Sequence, residues 1–136
     1  MKVFIKEYNI STSKQLQVID VTDKVEEAVS ESRVSKGFAV IHVPHATAAI
    51  IINEYEPHIV EDYLTIIKEL FRPGHPWRHN IIDSNAHAHL ASVFLGSSKI
   101  LPLWNGRLVR GTWQNIMLVE LDGPRSRRLI VEVLGE

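Results

Sequence analysis

The chain has 136 residues, 45% apolar and 23% charged, a balance that suits one folded domain and excludes a disordered segment. Fifteen Lys and Arg against sixteen Asp and Glu leave a net charge of −1, which argues against a nonspecific nucleic-acid binder. With no cysteine, disulfides, thiolate metal sites and cysteine nucleophiles are excluded, and a reducing, cytoplasmic setting is expected. The longest apolar runs, Phe38–Val43 and Ala46–Ile52, fall far short of the roughly 18 residues of a membrane span. Met1–Lys2–Val3 leads into alternating sequence rather than the core of a signal peptide.

Val3, Ile5, Tyr8 and Ile10 near-alternate, and Leu16 and Val18 resume the pattern after Ser11–Lys14. This reads as two antiparallel strands with a turn over 9–14. A helix is expected to start with Thr22 or Asp23 as its N-cap, to bury Val25, Ala28 and Val29, and to stop at Gly37. Phe38–Val43 reads as a central strand buried on two sides, and Ala46–Ile52 as a second buried strand, with a polar break at Pro44–His45. Pro57 suits a first helical turn. Ile59, Val60, Tyr63, Leu64, Ile67, Leu70 and Phe71 then follow a 3.6-residue stripe that Pro73–Gly74 ends. Residues 73–85 read as a long loop.

Ser84–Asn85 can cap a short third helix over 86–95, stopped by Gly96, with Leu90, Val93 and Phe94 as its buried stripe. Asn105–Gly106 between Leu101–Trp104 and Arg107–Val109 is a two-residue hairpin signal, and Pro102 points to an edge. Ile116–Leu121 and Leu129–Leu134 are two further strands around Asp122–Gly123–Pro124. The sum is a compact single α+β domain over 1–136. It has about seven or eight mostly antiparallel strands, as a sheet or sandwich, with two or three helices.

Seven histidines, concentrated in the middle of the chain, direct the search for chemistry, because imidazole is both the near-neutral titrating group and the commonest metal ligand. On a helix His87 and His89 lie about 200° apart, so one site can use only one of them. His45 and His79 lie in expected loops beside Pro44 and Trp77–Arg78. With a helix-start histidine they can converge as a metal site or as acid–base and phosphate-binding groups. Glu54 follows Asn53 at a strand end and reads equally as a general base, a metal ligand or a carboxylate favoured near a helix N-terminus. Arg125 sits in a turn from which it can reach an anion. Gly111-Thr112-Trp113-Gln114 offers a hydroxyl, an indole and an amide, and core packing explains Trp113 as well as ligand stacking does. No Gly-rich phosphate loop, nucleophile elbow or His-Glu-x-x-His occurs.

The order of these groups resembles the YjbQ family, also called the secondary thiamine-phosphate synthase family. The resemblance rests on His45-Ala46-Thr47-Ala48, Asn53-Glu54, Arg78-His79, Asn85 with Ala88-His89-Leu90, Leu95-Gly96-Ser97, Gly106-Arg107-Leu108, Gly111-Thr112-Trp113-Gln114 and Gly123-Pro124-Arg125. It implies a compact α+β homotrimer with sites near subunit boundaries. It also implies a weak transferase activity that joins a hydroxymethylpyrimidine diphosphate to a thiazole phosphate and releases pyrophosphate, with Mg²⁺. By matching, His45, Glu54, His79 and His89 become the catalytic candidates, and Asn53, Asn85, Thr112, Trp113, Gln114 and Arg125 the substrate-binding ones. His87 lies outside the matched set. The alternative expectation is a trimeric protein, with a hydrolase as one form of it, in which His45, His79 and His89 hold a divalent metal such as Zn²⁺ or bind phosphate. Expected partners are a small phosphorylated molecule and further copies of the chain, with neither nucleic acid nor membrane.

Overall fold

A computed structural model describes all residues, Met1–Glu136. Eight strands and three helices run in the order β1 (Lys2–Ser11), β2 (Gln17–Asp20), α1 (Thr22–Ser32), β3 (Gly37–His42), β4 (Ala48–Asn53), α2 (Pro57–Leu70), α3 (Ala86–Leu95), β5 (Ser98–Trp104), β6 (Arg107–Leu108), β7 (Asn115–Glu120) and β8 (Ser126–Gly135). They form two antiparallel sheets, one of five strands ordered β1-β8-β3-β5-β6 and one of three ordered β2-β7-β4. The α+β class is as expected, and no helix is long and apolar enough to cross a membrane.

The sheet assignment corrects the reading of the N-terminus. β1 pairs with β8 and β2 with β7, so the first two strands are in different sheets and residues between them carry the chain across, rather than closing a hairpin. Alternation reports which face a residue takes but not which strand pairs with it.

β7 explains the stacking. Ile116 and Leu118 face a core shared by the larger sheet, α1 and β4, whereas Met117 and Val119 face a second core against α2 and α3. The three-stranded sheet is therefore covered on both sides. Each fully buried Ile or Leu there contributes about 1.5–3 kcal/mol. The five-stranded sheet is different. Its inner face, with Ala39, Ile41, Leu129, Val131 and Val133, is buried, while Val3, Ile5, Phe38, Ile100 and Trp104 stand exposed on the other. β3 is central, as expected, but within one chain it is buried on one side only.

Helix boundaries moved where side chains found other partners. α1 begins at Thr22 after the N-cap Val21. Asp20 serves its start from outside, accepting from the Thr22 amide at 3.1 Å and its hydroxyl at 2.6 Å. The helix ends at Arg33 in the left-handed region, φ 58°, not at Gly37. Gly37 instead lies opposite Gly135 in the β3–β8 ladder, where an added Cβ would sit 1.9 Å from the Leu134 carbonyl oxygen. The backbones pass too closely there for any side chain. The Asn105–Gly106 hairpin is as the sequence indicates: Trp104 pairs with Arg107, and the turn residues have φ 52° and 74°. This suits an Asn-Gly type I′ turn.

The long segment after α2 contains one 3-10 turn, Arg78–Ile81. The α3 stripe is the clearest reversal. Val93 and Phe94 are each 77% exposed, and the buried face is Ala88, Ala91 and Ser92. Small side chains let α3 lie close on β4, where the Ser92 hydroxyl donates to the Ala48 carbonyl at 2.8 Å. Phe94 instead meets Phe71 at the C-cap of α2, ring centroids 5.5 Å apart.

Candidate functional site

The β4–β7 ladder sets the geometry. Ala48 pairs with Glu120 at one end and Asn53 with Asn115 at the other. Five residue steps at about 3.4 Å separate the ends by about 17 Å. The candidate residues divide between them.

At the Glu120 end, Asn85 is the N-cap of α3 but makes no side-chain capping bond. Its neighbour's amide is served by Asn80, whose Oδ1 accepts from Ala86 N at 3.1 Å. The freed Asn85 amide donates through Nδ2 to Asp122 Oδ2 at 3.0 Å, so its Oδ1 faces His79 Nε2 at 3.2 Å. A carbonyl oxygen can only accept, so His79 donates from Nε2 and, when neutral, keeps Nδ1 as an open acceptor. The His89 ring packs edge-on against His79, centroids 4.8 Å apart. Both line a cavity with Trp77, Arg78, Ala86 and Leu90. Arg125 folds back on the same hub, donating to the Asp122 carbonyl at 2.7 Å and to its carboxylate at 3.0 Å. Burial pushes the Asp122 carboxyl up, but the bonds from Asn85 and Arg125 outweigh it and hold the pKa below its usual value.

His45 belongs to the same end by its neighbours but not to this pair of rings. Its Nε2 accepts from the Arg128 amide at 2.9 Å. Burial, followed by the charges of Arg127 and Arg128, lowers its pKa, consistent with a neutral ring acting as acceptor. Beneath it lies a pair that sequence reading did not single out, Glu120 and Arg127. Arg127 bonds both carboxylate oxygens of Glu120, and its Nη2 donates to the Thr47 carbonyl and hydroxyl at 2.9 Å. Thr12 and the Asp122 amide complete the set on Glu120 at 2.8 and 3.1 Å. The only signal for this pair was a charge on an inward-facing position of each strand.

At the far end, Asn53 Oδ1 accepts from the Glu54 amide at 2.8 Å and from the Tyr63 hydroxyl at 3.3 Å. Tyr63 also donates to the Glu54 carbonyl at 2.8 Å. Burial first, then the Glu54 and Glu56 charges, raise the Tyr63 pKa. The Gly111–Gln114 segment is a tight turn. Gln114 N donates to Gly111 O at 3.1 Å and Gly111 N to Gln114 Oε1 at 2.8 Å. That turn leaves Trp113 71% exposed, so the indole is not a core residue of this chain. Thr112 borders a separate cleft with Arg107, Arg110 and Glu26.

One chain thus brings His79, His89, Asn85 and Arg125 together around Asp122, with His45 nearby on its own partner. It leaves Asn53, Glu54, Thr112, Trp113 and Gln114 at the other end. No three His, Asp or Glu side chains of the chain are placed to hold a metal ion. The residues present therefore do not fit a three-histidine centre within one chain.

Fold and site define a small α+β domain with a histidine-lined cavity at one end of a doubly covered sheet. Residues 6–136 match the family model described as UPF0047 protein YjbQ-like. A UPF0047 protein of Archaeoglobus fulgidus is 44% identical over 94% of this chain and 99% of its own length. The Bacillus subtilis UPF0047 protein YugU is 37% identical over 96% and 99%. The crystal structure of a YbjQ-like protein of unknown function from Sulfolobus solfataricus superposes with TM-score 0.98 at 51% identity, covering 99% of each chain. A hypothetical protein from Aeropyrum pernix gives 0.95 at 48%, covering 97% and 98%. The chain belongs to the YjbQ/UPF0047 family.

Proposed function

We propose that this protein is a weak transferase that joins a hydroxymethylpyrimidine diphosphate to a thiazole phosphate, making thiamine phosphate and releasing pyrophosphate. One observation supports it most: the candidate imidazoles and guanidinium lie at one end of the sheet, and the candidate carboxylate and indole at the other. His45, His79, His89 and Arg125 gather at one end of the sheet, while Glu54 and the exposed Trp113 lie at the other. The reaction needs both kinds of environment. The bond between the pyrimidine methylene carbon and the diphosphate oxygen breaks, and the oxygen keeps the electron pair. Cationic and N–H groups stabilise that leaving anion. The methylene carbon becomes positive until the thiazole nitrogen donates its lone pair to it, and an aromatic face and a carboxylate stabilise that centre. Mg²⁺ enters this reading with the diphosphate, as it commonly does on substrate phosphates.

The two sets meet across copies in this proposal. A homotrimer places the Trp113 end of one subunit against the histidine end of the next. A cytoplasmic location goes with the reading, since a chain without cysteine suits a reducing compartment. The test is incubation of purified protein with both precursors and Mg²⁺, reading thiamine phosphate by chromatography. Slow product formation is expected, lost in His79→Ala and in Trp113→Ala, and partly restored when those two variants are mixed and reassembled. Product at the no-enzyme level overturns the reaction. Failure of the mixture to recover overturns the shared site.

A second reading follows from the His79–His89 contact and the open Nδ1 of His79. In it the pair, with a third ligand from another copy, holds Zn²⁺ and the protein is a hydrolase or a phosphate binder. Stoichiometric zinc after dialysis, lost in His89→Ala, supports it.

A further inference from the structure

Behind α3, on the side away from His79 and His89, lies a second and smaller cavity. Its walls are Leu16, Ile67, Phe71, Ala88, Ala91 and Leu121, with His87 the imidazole among them. Its volume is about 160 Å³, close to the roughly 150 Å³ apolar cavity that admits benzene in an engineered protein. Small alanines on the buried face of α3 leave this space. The large side chains of that helix point elsewhere, with Val93 and Phe94 on the surface.

His87 gives the cavity a chemical preference. Its Nδ1 is buried without a hydrogen-bond partner, a state that ordinarily costs stability unless something satisfies it. A neutral imidazole offers one donor and one acceptor. His87 lines the cavity while its unpartnered Nδ1 is turned out of contact with that space, so a hydroxyl bonded to this nitrogen requires the ring to turn about Cβ–Cγ.

We propose that this cavity is a binding site for a small uncharged molecule with an apolar body the size of one six-membered ring and a single hydroxyl or N–H, which hydrogen-bonds to His87. The site is separate from the histidine pair and from the transferase reading, because α3 lies between the two cavities. An uncharged occupant suits walls that, other than His87, Gln15 and Lys68, are all apolar.

The test uses phenol as the probe and benzene as the comparison, on the protein in its native assembly. Intermolecular nuclear Overhauser effects from phenol to the methyl groups of Ile67, Ala91 and Leu121 are expected, and phenol should bind more tightly than benzene. Ala91→Leu, which fills the space, should abolish these effects while circular dichroism shows an unchanged fold. His87→Phe should weaken phenol about tenfold, the loss of one hydrogen bond, and leave benzene unchanged. No effects at these methyls in the native protein would overturn the proposal, including the case in which a neighbouring copy already fills the cavity. Equal binding of phenol and benzene overturns the role of His87. If Ala91→Leu does not fold, the map on the unaltered protein decides, since effects confined to other residues also refute the site.

Discussion

Two carboxylate–guanidinium pairs span the same turn between β7 and β8, and they differ in everything but their chemistry. The inner pair, Glu120 and Arg127, has side chains 0% and 4% exposed. The outer pair, Asp122 and Arg125, stands at 18% and 54%. The inner pair is saturated with bonds to Thr12, Thr47 and the Asp122 amide, and it locks the two sheets together where the chain crosses between them. The outer pair holds Asn85, and through it His79, with a guanidinium that water can reach. A charge pair fixes the fold when water is excluded, and it remains available to a ligand when water is not.

The sharpest way to break that comparison is to remove one guanidinium at a time. Arg127→Ala leaves Glu120 charged and unpaired in the interior and should cost about 3–5 kcal/mol of unfolding free energy in denaturant titrations. Equal costs for Arg127→Ala and Arg125→Ala would end the distinction between the pairs.

Acid should act on the inner pair as well. Burial pushes the Glu120 carboxyl up, but the bonds from Arg127, Thr12 and the Asp122 amide outweigh it and hold its pKa below 4.5. A carboxyl depressed in the folded state binds more protons unfolded. Its stabilisation is therefore present above about 4.5 and is lost as pH falls through the lower folded value. Asp122 adds in the same direction below its own ordinary value of 3.8. Midpoints of thermal melts should fall as pH drops below about 4.5, and removing the titrating carboxyl with Glu120→Gln should flatten that slope. An unchanged slope in the variant would mean that the acid sensitivity arises elsewhere.

An uncharged turn gives the control. Gly106 has φ 74°, so Gly106→Val should cost about 1–3 kcal/mol through backbone strain alone. That loss should be independent of pH between 4 and 8, which thermal melts across about that range can check.

The smallest stability effects are expected at the outer pair. Arg125→Ala should cost less than about 1 kcal/mol, as exposed pairs do. Asn85→Ala should likewise change the melting midpoint little while shifting the imidazole resonances of His79, because it breaks the link from that ring to Asp122. A large stability loss with unmoved His79 resonances would make Asn85 a structural residue and remove it from the site.

Much of this protein was legible in its sequence because the signals were local. The Asn105–Gly106 turn, Pro57 at the start of α2 and Gly96 at the end of α3 each follow from what one or two residues permit in their own backbone. The histidine geometry on α3 was legible for the same reason. A helix turns 100° per residue, so His87 and His89 were bound for different surroundings, and each lines a different cavity.

Only the tertiary structure decided which strands pair, which face of α3 is buried and which candidates meet. Alternation gave β1 and β2 faces, but their partners β8 and β7 lie about a hundred residues away. Hydrophobicity pointed α3 inward by Val93 and Phe94, yet close packing on β4 favoured the face with the smallest side chains, because a helix approaches a sheet only as near as its bulk allows. The Glu120–Arg127 pair and the division of the site between two ends of β7 were invisible for the same reason. Composition and periodicity describe a residue's own preference, whereas a buried charge or a shared site exists only once distant segments have been brought together to satisfy it.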